Sequence, residues 1–188
     1  MQRQNGSQLH SLPAYEAHGA RYTYDMAHLY EACSAQLDIA GDPDAIVVSR
    51  EATVKHRVFI ADDQKEMLRT IAAAIWDEFQ IVGMAGNGRE VLKLVPILHP
   101  EIIVLDIVMP VVNGIEAALR LKASGSPSKI VFLSIYEDRD FVDAAFAAGA
   151  KAYVLKSHLS DDLVPAIESV LKGHSFVSAC IQSETHHY

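Results

Sequence analysis

IIVLDIVMPVVNG, residues 102–114, is almost wholly apolar, yet it carries one carboxylate, Asp106, near its middle. An ionised group taken out of water without a partner costs several kcal/mol or more. If the run is a buried strand, Asp106 belongs at the strand's mouth, with cations close by. The remainder of the chain supplies both the strand and the cations.

Short β-like runs alternate with amphipathic helical stretches from Lys55 onward. The runs are RVFIA (57–61), QIVGMA (80–85), EIIVL (101–105), KIVFL (129–133) and AYVL (152–155). Helical stretches follow each, beginning with QKEMLRTIAAAIWDEF (64–79), where Met67, Leu68, Ile71, Ala74, Ile75 and Phe79 recur as one apolar stripe. The others are GREVLKLVPILH, IEAALRLKAS, DRDFVDAAFAAG and DDLVPAIESVLKG. Five β-then-α repeats with short connections predict an α/β fold, a parallel sheet covered by helices on both faces. Strands buried on both sides read as continuous apolar runs, as these do. Gly114, Gly125 with Pro127, Gly149 and Gly173 mark helix starts or ends, and Ser160 before Asp161 and Asp162 reads as a helix N-cap.

Such a sheet binds ligands beyond the C-terminal ends of its strands. Asp62 and Asp63 follow the first strand and Asp106 ends the third, so the three carboxylates converge on one edge. Three like charges in one pocket repel, and a hard divalent cation held by oxygens relieves them; magnesium fits because it keeps several waters and leaves room for phosphate. Ser134 and Lys156 end the fourth and fifth strands at the same edge. A hydroxyl and an ammonium beside a metal-bound carboxylate form a site for a phosphoryl group, with Asp106 as nucleophile.

Composition bounds the alternatives. Of 188 residues, 50% are hydrophobic and 21% charged, which fits a soluble globular protein with a true core. The formal charge of −8 argues against a general nucleic-acid binder, which needs a basic face. The N-terminus lacks the apolar core of a secretion signal, and no run approaches the roughly 18–20 apolar residues of a membrane helix. Cys33 and Cys180 are far apart, so neither a disulfide framework nor a zinc site is suggested, and the expected location is the cytoplasm.

The segments IADD, DIVMPVVNG, FLSIY and AYVLKS, in this order and spacing, resemble the receiver domain of bacterial two-component response regulators over about residues 56–173. The likeness is nearest to receivers that precede a LuxR-type helix-turn-helix domain. It implies a flavodoxin-like, doubly wound, five-stranded sheet in the order 2-1-3-4-5, and a domain at 55–175. Residues 1–54 form an extension with one plausible helix around 24–38, and 176–188 a short tail. The resemblance also implies that Asp106 accepts a phosphoryl group from a sensor histidine kinase or phosphotransfer protein. Asp63, Asp106 and the main-chain carbonyl of Val108 would bind Mg2+, with Asp62 holding it through water. Lys156 would pair with the phosphoryl oxygens and Ser134 would move to hydrogen-bond them. Tyr153, at the switch-aromatic position, would turn inward afterwards, altering a surface read by a downstream protein target or a second copy in a homodimer.

Bulky Val108 and Tyr136 flank the expected path of attacking water and predict a long-lived phosphoryl group. Ser157 stands where many receivers have proline. Only 15 residues follow Gly173, which implies no DNA binding by this chain alone. Two other readings are a docking or dimerisation module independent of phosphorylation, and a transcription regulator cut short before its DNA-binding domain. A haloacid-dehalogenase-type phosphatase is rejected, because the second aspartate it needs is Val108 here. The chain is therefore expected to catalyse only its own phosphoryl transfer and slow loss. GMAGNG (83–88) is strand-end turn chemistry rather than a dinucleotide fingerprint. His158, His174, His186 and His187 read as surface residues, and Met109 and Phe132 as core.

Overall fold

The computed structural model describes residues 55–182; the expected helix at 24–38, His186 and His187 lie outside them. Five strands form where the apolar runs predicted: β1 Arg57–Ala61, β2 Gln80–Ala85, β3 Ile102–Asp106, β4 Lys129–Ser134 and β5 Ala152–Leu155. Helices follow each strand: α1 Lys65–Ile75, α2 Gly88–Leu98, α3 Gly114–Ala123, α4 Arg139–Ala147 and α5 Leu159–Leu171. A 3-10 turn, Lys156–His158, joins β5 to α5.

Alternation along the strands divides the core into two layers. Phe59, Ile103, Leu105, Phe132 and Tyr153 face α2, α3 and α4, meeting Val91, Val95, Leu121 and Val142. Val58, Ile60, Ile102, Val104 and Val131 face α1 and α5, meeting Leu68, Ile71, Leu163 and Ile167. Successive strand residues point to opposite faces, so a continuous apolar run serves both layers at once. Met109 and Phe132 are buried as expected.

One element departs from the expected five-stranded sheet. Phe176–Val177 forms a sixth strand, β6, parallel to β5, and the full order is β2-β1-β3-β4-β5-β6. The segment assigned to a tail thus begins as sheet edge and continues into a short helix, α6, Ala179–Gln182. Two apolar residues beside polar neighbours show no periodicity; the unpaired edge of β5 is what recruits them. The expected N-cap at Ser160 is also corrected. The 3-10 turn runs directly into α5, so the helix starts at Leu159 and His158 takes the cap position without a side-chain cap bond.

Elsewhere turn chemistry follows the sequence. Asn87 and Asn113 cap α2 and α3 by accepting the Glu90 and Glu116 main-chain N–H groups at 3.0 and 2.8 Å. Asn87 thereby gives GMAGNG its turn role. Gly114 is required at its position, since a Cβ there would lie 2.0 Å from the Asp106 carbonyl oxygen. This close approach draws the loop after β3 tightly back onto the strand end that carries Asp106. Among the described residues, no helix is long and apolar enough to cross a membrane.

Candidate phosphoryl site

Sheet order reverses at β1 and β3, and their register pairs Ala61 with Leu105. The next residues, Asp62 and Asp106, therefore leave the sheet side by side at a topological switch point. Together with Asp63 they offer carboxylate oxygens that all lie within 4.8 Å of one another. Asp62 is fully buried, Asp106 is buried and Asp63 is exposed.

Lys156 enters this pocket from the end of β5. Its Nζ lies 2.6 Å from Asp62 Oδ2 and 3.0 Å from Asp106 Oδ2, with its own side chain only 7% exposed. One ammonium thus faces two buried carboxylates. The Asp62 contact is a short, buried ion pair in which the Lys156 ammonium holds Oδ2. Asp62 Oδ1 accepts the Gln64 main-chain N–H at 2.9 Å, and Asp106 Oδ1 accepts that of Val108 at 3.3 Å.

Burial pushes the Asp106 carboxyl pKa above its ordinary value, against the pull of Lys156 and with a push from Asp62. Burial also opposes the charged form of Lys156, but Asp62 and Asp106 outweigh it and raise the ammonium's pKa. The pocket has more negative charge than Lys156 neutralises. Paired carboxylates at this spacing, with exposed Asp63 beside them, are hard-oxygen donors suited to a divalent cation of the magnesium type.

The expected switch residues meet through the main chain of Tyr136. Ser134, buried at the end of β4, accepts the Tyr136 N–H on its Oγ at 3.0 Å. The Tyr153 hydroxyl donates to the Tyr136 carbonyl at 2.8 Å. Burial raises the pKa of this hydroxyl, while Ser134 pulls it down. The Tyr153 ring is already inward, fully buried, and the Tyr136 ring stacks on Phe141 with centroids 4.2 Å apart. Val108 stands at the rim, 52% exposed.

Over residues 58–168 the chain matches the response regulator receiver domain. The chain belongs to that family. Transcriptional regulatory protein PdtaR of Mycobacterium tuberculosis is 39% identical over 130 residues, which are 69% of this chain and 63% of that protein. YvfU of Bacillus subtilis, an uncharacterised transcriptional regulatory protein, is 34% identical over 119 residues, 62% of this chain and 60% of that protein. This receiver chain therefore spans a little under two thirds of the length of these relatives. Among solved structures, a LuxR-family two-component response regulator from Aurantimonas sp. SI85-9A1 superposes with a TM-score of 0.66 at 29% identity. It covers 69% of this chain and 94% of that one. The receiver fold and the kinship with LuxR-type regulators are thus as the sequence motifs implied.

Sequence reasoning overlooked Ser178 beside this site, and read Asp162 only as part of a helix start. Ser178 is fully buried; its hydroxyl donates to Asp162 Oδ2 at 2.5 Å and accepts the Leu155 N–H at 3.1 Å. The only signal was FVS after the helix-ending Gly173, too short a pattern to read as a strand.

Proposed function

We propose that this receiver is a phosphorylation-dependent signalling switch in which Asp106 accepts a phosphoryl group from the phosphohistidine of a sensor histidine kinase or phosphotransfer protein. The bridging of Asp62 and Asp106 by Lys156, with Asp63 beside them, is the observation that carries the reading. Asp63, Asp106 and the main-chain carbonyl of Val108 would hold Mg2+, with Asp62 behind it through water. When bound, the ion would neutralise negative charge on the transferring oxygens.

Asp106 Oδ attacks phosphorus in line as the bond to the histidine nitrogen breaks; the electron pair stays on that nitrogen, and the ring, already protonated on its other nitrogen, leaves as neutral imidazole beside the new acyl phosphate. Lys156 follows the new charge, which amounts to roughly −1.5 to −2 with three strong acceptor oxygens. Ser134 exchanges the Tyr136 N–H for a phosphoryl oxygen. Because Tyr153 is inward already, the switch acts through the Tyr136 main chain that Ser134 and Tyr153 grip from either side. The loop into α4 then shifts, and with it a surface read by a downstream protein or a second copy. The setting of this chemistry is the cytoplasm, and the chain performs no turnover on other substrates.

The test is intact mass after incubation with magnesium and a small acyl-phosphate donor, beside Asp106→Asn. One phosphoryl gain that needs metal and vanishes in the variant is expected. No gain under conditions that label another receiver would sink the proposal in favour of a docking module. Val108 and Tyr136 make the phosphoryl group long-lived in this reading, so loss within seconds would refute that part.

A further inference from the structure

The added strand reaches the support of the phosphoryl pocket. In the ladder between β5 and β6, Phe176 N–H donates to the Lys151 carbonyl at 3.1 Å and Ser178 N–H to that of Tyr153 at 3.0 Å. The chain then turns into α6, so no strand continues past Ser178 to receive the next N–H of β5, that of Leu155. The Ser178 hydroxyl takes this place, accepting the Leu155 N–H at 3.1 Å. Its own proton goes to Asp162 Oδ2, in the first turn of α5. A fully buried hydroxyl thus pins the last residue of β5 to α5, donating one hydrogen bond and accepting another.

Lys156 is the next residue. From that point its side chain spans the pocket to Asp62 and Asp106, and the 3-10 turn Lys156–His158 begins. Many receivers have a proline after this lysine to shape the loop; here Ser157 stands there and is exposed. The rigid anchor comes from the C-terminal segment instead.

We propose that Ser178 is a positioning residue for the phosphoryl site, fixing through the Leu155 N–H the strand end from which Lys156 reaches Asp62 and Asp106. The inference rests on the phosphoacceptor role of Asp106 proposed above. It makes the segment 176–182 part of the receiver's working structure. Any partner or modification that lifts this segment is then expected to slow phosphoryl uptake.

A double-mutant cycle on the full chain tests it, with phosphoryl uptake from a small acyl-phosphate donor timed by mass. Ser178→Ala is expected to slow uptake about tenfold, the worth of a buried hydrogen bond turned into misplacement of Lys156. In a Lys156→Ala background the same change is expected to have no further effect. An equal slowing in both backgrounds, or none in either, overturns the proposal. If Ser178→Ala does not fold, Asp162→Asn carries the same cycle, since it weakens the Ser178 hydroxyl's anchor and keeps its volume. If the wild type takes up no phosphoryl group, the function proposed above fails, and the positioning role is then read by NMR. The Lys156 ammonium should give an ordered side-chain resonance in the wild type that is lost in Ser178→Ala; an unchanged resonance refutes the inference.

Discussion

Asp106→Asn is expected to stabilise the folded protein near pH 7 in the absence of divalent cations. Asp106 is buried, within 4.8 Å of the other two carboxylates and 3.0 Å from Lys156 Nζ. At an effective dielectric near 20, repulsion from Asp62 is worth about 3.5 kcal/mol and attraction to Lys156 about 5.5 kcal/mol. Exposed Asp63 adds a smaller, screened repulsion. The pair interactions leave about 2 kcal/mol of net attraction, which Asp63 reduces further, and desolvation of the carboxylate at several kcal/mol outweighs it. This balance agrees with the raised pKa of Asp106, whose largest cause is burial. Asparagine keeps the shape, removes the charge and leaves Lys156 to Asp62. After discounting for relaxation, a gain of about 1–3 kcal/mol is expected, or roughly 2–12 °C in Tm.

The pH dependence has a definite sign. A carboxyl with a raised folded-state pKa binds its proton more readily folded than unfolded. Its penalty is present in full above the folded pKa and fades as pH falls toward the ordinary carboxylate value. The advantage of Asn over Asp should therefore shrink on acidification and, under the proposed metal role of Asp106, shrink also on adding magnesium, which would favour the wild type more than the variant. Urea unfolding from pH 7 to 5, with chelator or with magnesium, measures all three effects. An Asn variant no more stable than wild type at pH 7 without metal would refute the electrostatic reasoning.

Val111 has φ +71 and is 63% exposed, and Val112 N–H donates to the Pro110 carbonyl across it at 2.8 Å. A β-branched residue there stores strain of order 1–3 kcal/mol, so Val111→Gly, after its entropy cost, should raise stability by about 1 kcal/mol; a fall in the urea midpoint would count against strain. Gly114→Ala meets main chain that cannot yield, and should cost more than about 3 kcal/mol or prevent folding, as circular dichroism would show; a native-like melt would mean the loop gives way. The Glu101 carboxyl, held below its usual pKa chiefly by the hydrogen bond with His56 at 2.8 Å, contributes stability above the ordinary carboxylate range that is lost as pH falls through its lowered value. Since both groups are about half exposed, Glu101→Gln should cost under about 1 kcal/mol at pH 6, and nothing once acid has protonated the carboxyl; the difference in melting between the two pH values measures it.

The candidate site was legible because it is built from strand ends. Apolar runs buried on both faces are continuous, and each one stops where its first polar residue meets the edge. Asp62, Asp106, Ser134 and Lys156 could therefore be placed from sequence alone, and the structure brings Asp62, Asp106 and Lys156 into direct contact. Ser160 was misread as a cap because a 3-10 turn and a helix leave the same polar signature where they join. The inward ring of Tyr153 depends on space between β5 and α4, which no local pattern records.

Sequence by itself determined the alternation of strands and helices, the edge that collects the carboxylates, and the Lys156 ammonium that reaches them. Each follows from period and residue type along a short stretch. Tertiary structure alone decided that Phe176–Val177 completes the sheet and that Ser178 is buried between Leu155 and Asp162. An edge strand of two residues has too little propensity to declare itself. It forms because β5 offers unpaired main-chain groups that Phe176 and Ser178 satisfy.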